Sequence, residues 1–100
     1  MKVHDIATSR AGDKGNTAQI AVIARDASAY ALLEDKLTVE RVAVAFAGIA
    51  KGPVTRHPVP GLKAFLFLLE GALGGGVSVS LASDPHGKSL SSLMLGIVLD

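Results

Sequence analysis

The chain has 100 residues, 49% of them hydrophobic and 19% charged, with ten basic and nine acidic residues and a net charge of +1. That length fits a single domain over residues 1–100, and the apolar content excludes a disordered chain. Interspersed charges and scarce aromatic residues argue against nucleic-acid binding, and the absence of cysteine excludes disulfides and thiolate chemistry.

Lys2, His4 and Asp5 precede any apolar run, so no leader pattern is present. The most apolar stretch, Ala64-Phe65-Leu66-Phe67-Leu68-Leu69, has six residues, whereas a membrane-spanning helix needs about 20. The expected setting is a soluble cytoplasmic protein with no membrane contact. Its apolar fraction exceeds what a monomer of this size needs. The surplus is therefore expected at an interface with another copy or another protein.

In chain order, residues 2–7 alternate weakly and read as a short strand. Arg10-Ala11-Gly12-Asp13-Lys14-Gly15-Asn16-Thr17 follows, with three charges and two glycines in eight residues. It reads as a tight exposed loop at a hairpin tip. Gln19-Ile20-Ala21-Val22-Ile23-Ala24 then reads as a central strand buried on both faces. Asp26 or Ser28 can cap a helix over residues 29–37, on which Leu32, Leu33 and Leu37 form a stripe. Thr38 is a second cap, with Val39, Val42, Ala43 and Phe46 recurring at helical spacing. Two short helices joined at Thr38 are expected. They end over residues 48–52, with Lys51 near the helix C-terminus.

Three prolines within residues 53–60 point to an edge strand, and Pro60-Gly61 to a turn. Residues 64–69 are bounded by turn signals and favour strand over helix. Gly74-Gly75-Gly76 implies a sharp turn or a close approach of another backbone or ligand. Residues 77–81 alternate as a strand with one wet face. Asp84-Pro85-His86-Gly87-Lys88 reads as a turn. Ser89 is then the cap of a final helix with Leu90, Leu93, Met94 and Ile97 on one stripe, strand remaining open for residues 94–99. The pattern gives an α+β two-layer sandwich: a mainly antiparallel sheet of four or five strands with helices on one face.

The loop carries the densest chemistry. Gly12 and Gly15 can present backbone N–H groups as an anion nest. Arg10 can fork onto a carboxylate or phosphate, and Lys14 adds a point charge. Asp13 either pairs with these cations or serves as acid or base. The plainer alternative is a solvated hairpin tip with an internal salt bridge, worth about 0–1 kcal/mol. Gly-Lys-Ser at residues 87–89 matches the tail of a phosphate-binding P-loop, but Ala82 stands where that motif starts with glycine. A weaker anion site or an ordinary turn fits better. His4, His57 and His86 are scattered, none three or four residues from another, so no metal site is expected. No cofactor is expected. His57 reads as a surface residue, His86 as the histidine best placed for chemistry, and Ser9 lacks the elbow motif of a nucleophile. Leu32, Leu33, Phe46, Phe65 and Phe67 read as core.

The set of motifs resembles one family. Residues 10–17, Ile23-Ala24-Arg25-Asp26, Gly71-Ala72-Leu73-Gly74-Gly75-Gly76-Val77 and Asp84-Pro85-His86-Gly87-Lys88-Ser89-Leu90 together are similar to the small AtuA-like domain. That domain occurs at the C-terminus of acyclic terpene utilisation proteins and as a separate short chain. Ala11 stands where the family often has serine, and Asn16 where aspartate is common. The resemblance implies a ferredoxin-like fold, a large AtuA-type partner, and a setting in catabolism of branched or terpenoid acids as thioesters. It implies no particular reaction.

The first functional expectation is an accessory subunit that completes a site for an anionic acyl substrate, possibly an acyl-CoA. Arg10, Gly12, Lys14, Gly15 and Asn16 would contribute to it, with Gly74, Gly75, Gly76 and Lys88 from neighbouring turns. The second is a self-sufficient homo-oligomeric hydratase or lyase with Asp13 as catalytic base. The third is a dimerisation module without ligand.

Overall fold

The computed structural model describes residues 1–14, 17–50, 52–71 and 88–100, with backbone alone for residues 13, 14, 88 and 89. A 3-10 turn at Val3–Asp5 leads into β1 (Ala7–Lys14), which pairs antiparallel with β2 (Thr17–Ala24). Helices α1 (Ala27–Lys36) and α2 (Val39–Ala45) follow. Strands β3 (Val54–Val59) and β4 (Ala64–Glu70) form a second hairpin, and α3 spans Lys88–Leu95. Among the described residues the sheet has four strands in the order β1-β2-β4-β3.

Both β2 and β3 pair antiparallel with β4, so they run parallel to each other. The chain leaves β2, passes through α1 and α2, and returns as β3 with β4 inserted between. That split β-α-β unit is the signature of the ferredoxin-like α+β fold, and it bears out the expected class.

Register decides what each face carries. Ala18, Ile20 and Val22 of β2 oppose Leu69, Phe67 and Phe65 of β4, and all six are buried. Leu33, Leu37, Val42, Phe46, Leu90 and Met94 from the three helical segments close the same core. The helices therefore cover one face. β2 was expected to be buried on both. Instead its burial alternates, with Gln19, Ala21 and Ile23 half-buried between buried neighbours. Among the described residues only one helical layer packs on the sheet, and they give the second face nothing comparable to bury against.

The helix starts follow the expected caps. Asp26 accepts from the Ala29 N–H at 2.8 Å and Thr38 from the Arg41 N–H at 3.1 Å, each satisfying an orphan donor of the first turn. Arg56 sits on the core-facing side of edge strand β3, opposite Phe67. Its Nη1 donates to the carbonyls of Glu34 and Leu37 at 3.1 and 2.8 Å, at the C-terminus of α1. Its guanidinium lies 4.9 Å from the centroid of Phe65, on which Tyr30 stacks at 4.7 Å. Pro58 is accommodated because an edge strand spares one ladder donor.

Three expectations need correction. Residues 2–7 split between the 3-10 turn and the first residue of β1. Ser89 lies inside α3, which already starts at Lys88, so it cannot be the N-cap, a residue outside the helix. Residues 96–99 add only the bridge Lys2↔Val98 instead of a strand. Lys51, Gly74, Gly75 and Gly76, the strand at 77–81 and the turn at 84–87 lie outside the described residues.

Phe67→Ala is expected to destabilise the fold by about 3–5 kcal/mol through lost burial and a residual cavity. Urea denaturation followed by circular dichroism measures it, with the midpoint falling sharply.

Candidate functional site

The polar stretch read as a loop is mostly strand. Arg10, Gly12, Asp13 and Lys14 lie in β1, opposite Ala21, Gln19, Ala18 and Thr17. Strand backbone turns successive residues to opposite faces. Positions 10 and 13 therefore do not share a face, and the clamp expected between Arg10 and Asp13 has no local backbone to support it. Among the described residues β1 is an edge strand, and edge strands commonly carry charge. Gly15 and Asn16, between the paired Lys14 and Thr17, lie outside the described residues.

Gly12 also changes meaning. Among described glycines only Gly71 has a positive φ, at 72°. Gly12 is paired strand backbone, which points alternate N–H groups in opposite directions, so it builds no anion nest. A Cβ added there would meet nothing within 4 Å. Its missing side chain instead leaves an opening on the sheet surface.

That surface is the face away from the helices. Arg10 is exposed there beside half-buried Ala21, and Gly12 beside half-buried Gln19. Half-buried Leu66 and Leu68 continue the floor on β4, opposite Ala21 and Gln19. Thr55 and His57 form the far rim on β3, joined by a 3.1 Å hydrogen bond between Oγ1 and Nε2. His57 is the exposed residue expected. A guanidinium and a primary amide beside an apolar floor suit a carboxylate with an aliphatic tail. The Arg10 guanidinium makes no hydrogen bond or ion pair among the described residues. Gln19 was read only as the start of a strand. Its position opposite a glycine is invisible until the register is known.

Lys88 does not join this group. It begins α3, which packs on β1 from the helical layer, whereas Arg10 lies on the other face of the sheet. Gly74, Gly75 and Gly76 lie outside the described residues. No cluster of metal-ligating side chains occurs among the described residues. Ser9 faces the core between Ala7 and Ala11, with its hydroxyl buried and without a partner among the described residues. No helix among the described residues is long and apolar enough to cross a membrane.

A second cluster was missed by sequence reading. His4 and Asp5 of the N-terminal turn face Arg25 beyond β2 across a hollow also lined by Ala7, Thr8, Ile23 and Ala24. The backbone N–H of Lys2 donates to the Asp5 carboxylate at 2.8 Å, and His4 Nδ1 lies 3.5 Å from its other oxygen. The Lys2 N–H, then the nearby positive charges of His4 and the N-terminus, hold the Asp5 carboxyl below its ordinary 3.8 despite some desolvation.

A family model, the AtuA ferredoxin-like domain, matches residues 1–100. The chain belongs to that family. No curated protein and no solved structure matches it.

Gly12→Ala is expected to be neutral or to stabilise by up to about 1 kcal/mol, because the site is open and alanine narrows the unfolded ensemble. Chemical denaturation checks this. The lowered carboxyl of Asp5 contributes stability that is complete above pH 3.8 and lost as pH falls through its folded-state value. The Asp5→Asn chain should therefore melt lower than the parent at about pH 6, with the gap closing in strong acid. Melting curves across pH measure it.

Proposed function

We propose that this member of the AtuA ferredoxin-like domain family is an accessory module without its own catalytic centre. It docks on a large AtuA-type protein through the open face of its sheet and helps hold an anionic acyl substrate there. One observation carries the reading. The helices cover one side of the sheet, and the other presents Ala21, Leu66 and Leu68 with Arg10 on its rim. An apolar floor edged by polar groups is the usual anatomy of a protein interface, and it offers a place for the apolar surplus of the chain.

In this reading Arg10 forks onto the substrate carboxylate or phosphate, and Gln19 adds an amide donor. Gly12 leaves the space between them. Lys14, four residues along the same strand, adds positive charge. The substrate's apolar part lies against the floor, closed from above by the partner. Asp13 as a catalytic base gains no support, since the backbone sets it on the other face from Arg10.

The test mixes the full chain with a large AtuA-type protein and measures association by co-purification and calorimetry. Association at micromolar concentration is expected, with Leu66→Asp weakening it at least about tenfold, or 1.4 kcal/mol, while circular dichroism stays unchanged. Unaltered affinity in a folded Leu66→Asp chain would overturn the docking face. Concentration-dependent self-association with no hetero-complex would favour a homo-oligomer instead.

A further inference from the structure

We propose that the hollow between the N-terminal 3-10 turn and the end of the β1–β2 ladder binds a small oxyanion, a carboxylate or phosphoryl group on a short apolar stem. Arg25 and Thr8 are its donors. The site does not depend on the partner reading above.

The framework comes from the backbone. The Arg25 N–H donates to the Ile6 carbonyl at 2.9 Å, and the Ile6 N–H to the Val3 carbonyl at 3.0 Å. The first bond ties Arg25, just past the end of β2, to the residue that follows the turn. The second closes the turn itself. Arg25 is thereby held across from His4 and Asp5. The hollow is half open to solvent and has a volume of about 270 Å³, close to the lower end for small-molecule sites. Ala7, Ile23 and Ala24 supply its apolar wall, Thr8 a hydroxyl, and His4, Asp5 and Arg25 its charged rim.

The rim carries one guanidinium, Arg25, and one carboxylate, Asp5, so an anion would be held by the Arg25 donor fork and not by a net positive charge. Two carboxylates lie close by, and both are already engaged by backbone donors. Asp5 accepts from the Lys2 N–H at 2.8 Å. Asp26 accepts from the Ala29 N–H at 2.8 Å at the start of α1. Neither pairs with Arg25, whose guanidinium makes no hydrogen bond or ion pair among the described residues. The carbonyl of Lys63 accepts from the Ala24 N–H at 2.8 Å, which brings a second cationic residue to this end of the sheet. A guanidinium presents paired N–H groups matched to two oxygens of a carboxylate or phosphate. The Thr8 hydroxyl gives a third donor. His4 turns Nδ1 toward Asp5 at 3.5 Å and also lines the hollow.

The test uses the full chain and follows backbone amide shifts during titration with propionate, inorganic phosphate and neutral propionamide. Saturable shifts centred on His4, Thr8 and Arg25 are expected with at least one anion and none with propionamide. A dissociation constant on the order of 1 mM suits so small a ligand. Tighter binding of propionate names a carboxylate ligand, and tighter binding of phosphate a phosphoryl ligand. Arg25→Gln should weaken binding at least about tenfold, whereas Lys36→Gln, remote on α1, should not change it. Thr8→Val provides a second folded variant with the same expected direction. The proposal is overturned if neither anion gives saturable shifts, if propionamide titrates equally, or if Arg25→Gln and Thr8→Val both bind like the parent.

Discussion

The pairing of β2 with β4 is the constraint on which the rest of this molecule depends. It sets Ala18, Ile20 and Val22 against Leu69, Phe67 and Phe65 and so collects the largest apolar side chains of the sheet on one side. A slip of one residue would turn all of them to the opposite face and leave the three helices nothing to cover. Because β4 lies between β2 and β3, the connection through α1 and α2 must cross it, and the helical layer forms directly over this core. β1 joins outside β2 and is an edge of the sheet among the described residues.

The helical layer is locked to the sheet at defined points. Asp26 and Thr38 fix where α1 and α2 begin. At the other end of α1, Arg56 reaches from edge strand β3 to two of the last carbonyls. A cation there satisfies orphan acceptors and meets the negative end of the helix dipole. Its plane also lies over Phe65 in the core. Arg56 thus couples an edge strand, a helix terminus and the aromatic centre, and its lysine replacement would lose the planar guanidinium over Phe65.

Covering one face leaves the chemistry on the other face and at the sheet's ends. Arg10, Gly12 and Gln19 lie along the β1–β2 ladder, and His4, Thr8 and Arg25 around its end. Both groups combine a guanidinium with apolar neighbours, and both are assembled by the same hairpin. The interface reading and the oxyanion hollow are therefore separable features of one surface, one suited to a broad partner and the other to a small ligand.

The sequence by itself determined the α+β class, the two capped helices joined at Thr38, the edge strand with its prolines, the strand at residues 64–69 and the aromatic core. Each of these is written in local signals: spacing, cap residues, proline and uninterrupted apolar runs. Residues 7–14 show why the remainder was not legible. Ala7, Ser9 and Ala11 alternate with Thr8, Arg10 and Gly12 as an edge strand should. Small residues give a weak hydrophobic period, however, and the dense charge resembles a loop. Only the tertiary structure decided that Gln19 lies opposite Gly12, that Lys88 and Arg10 fall on opposite sides of the sheet, and that Arg25 returns to face His4. Those relations depend on strand register and on which face the helices cover. Both are settled by burying Phe65, Phe67 and their partners together, a long-range requirement that no local stretch of sequence expresses.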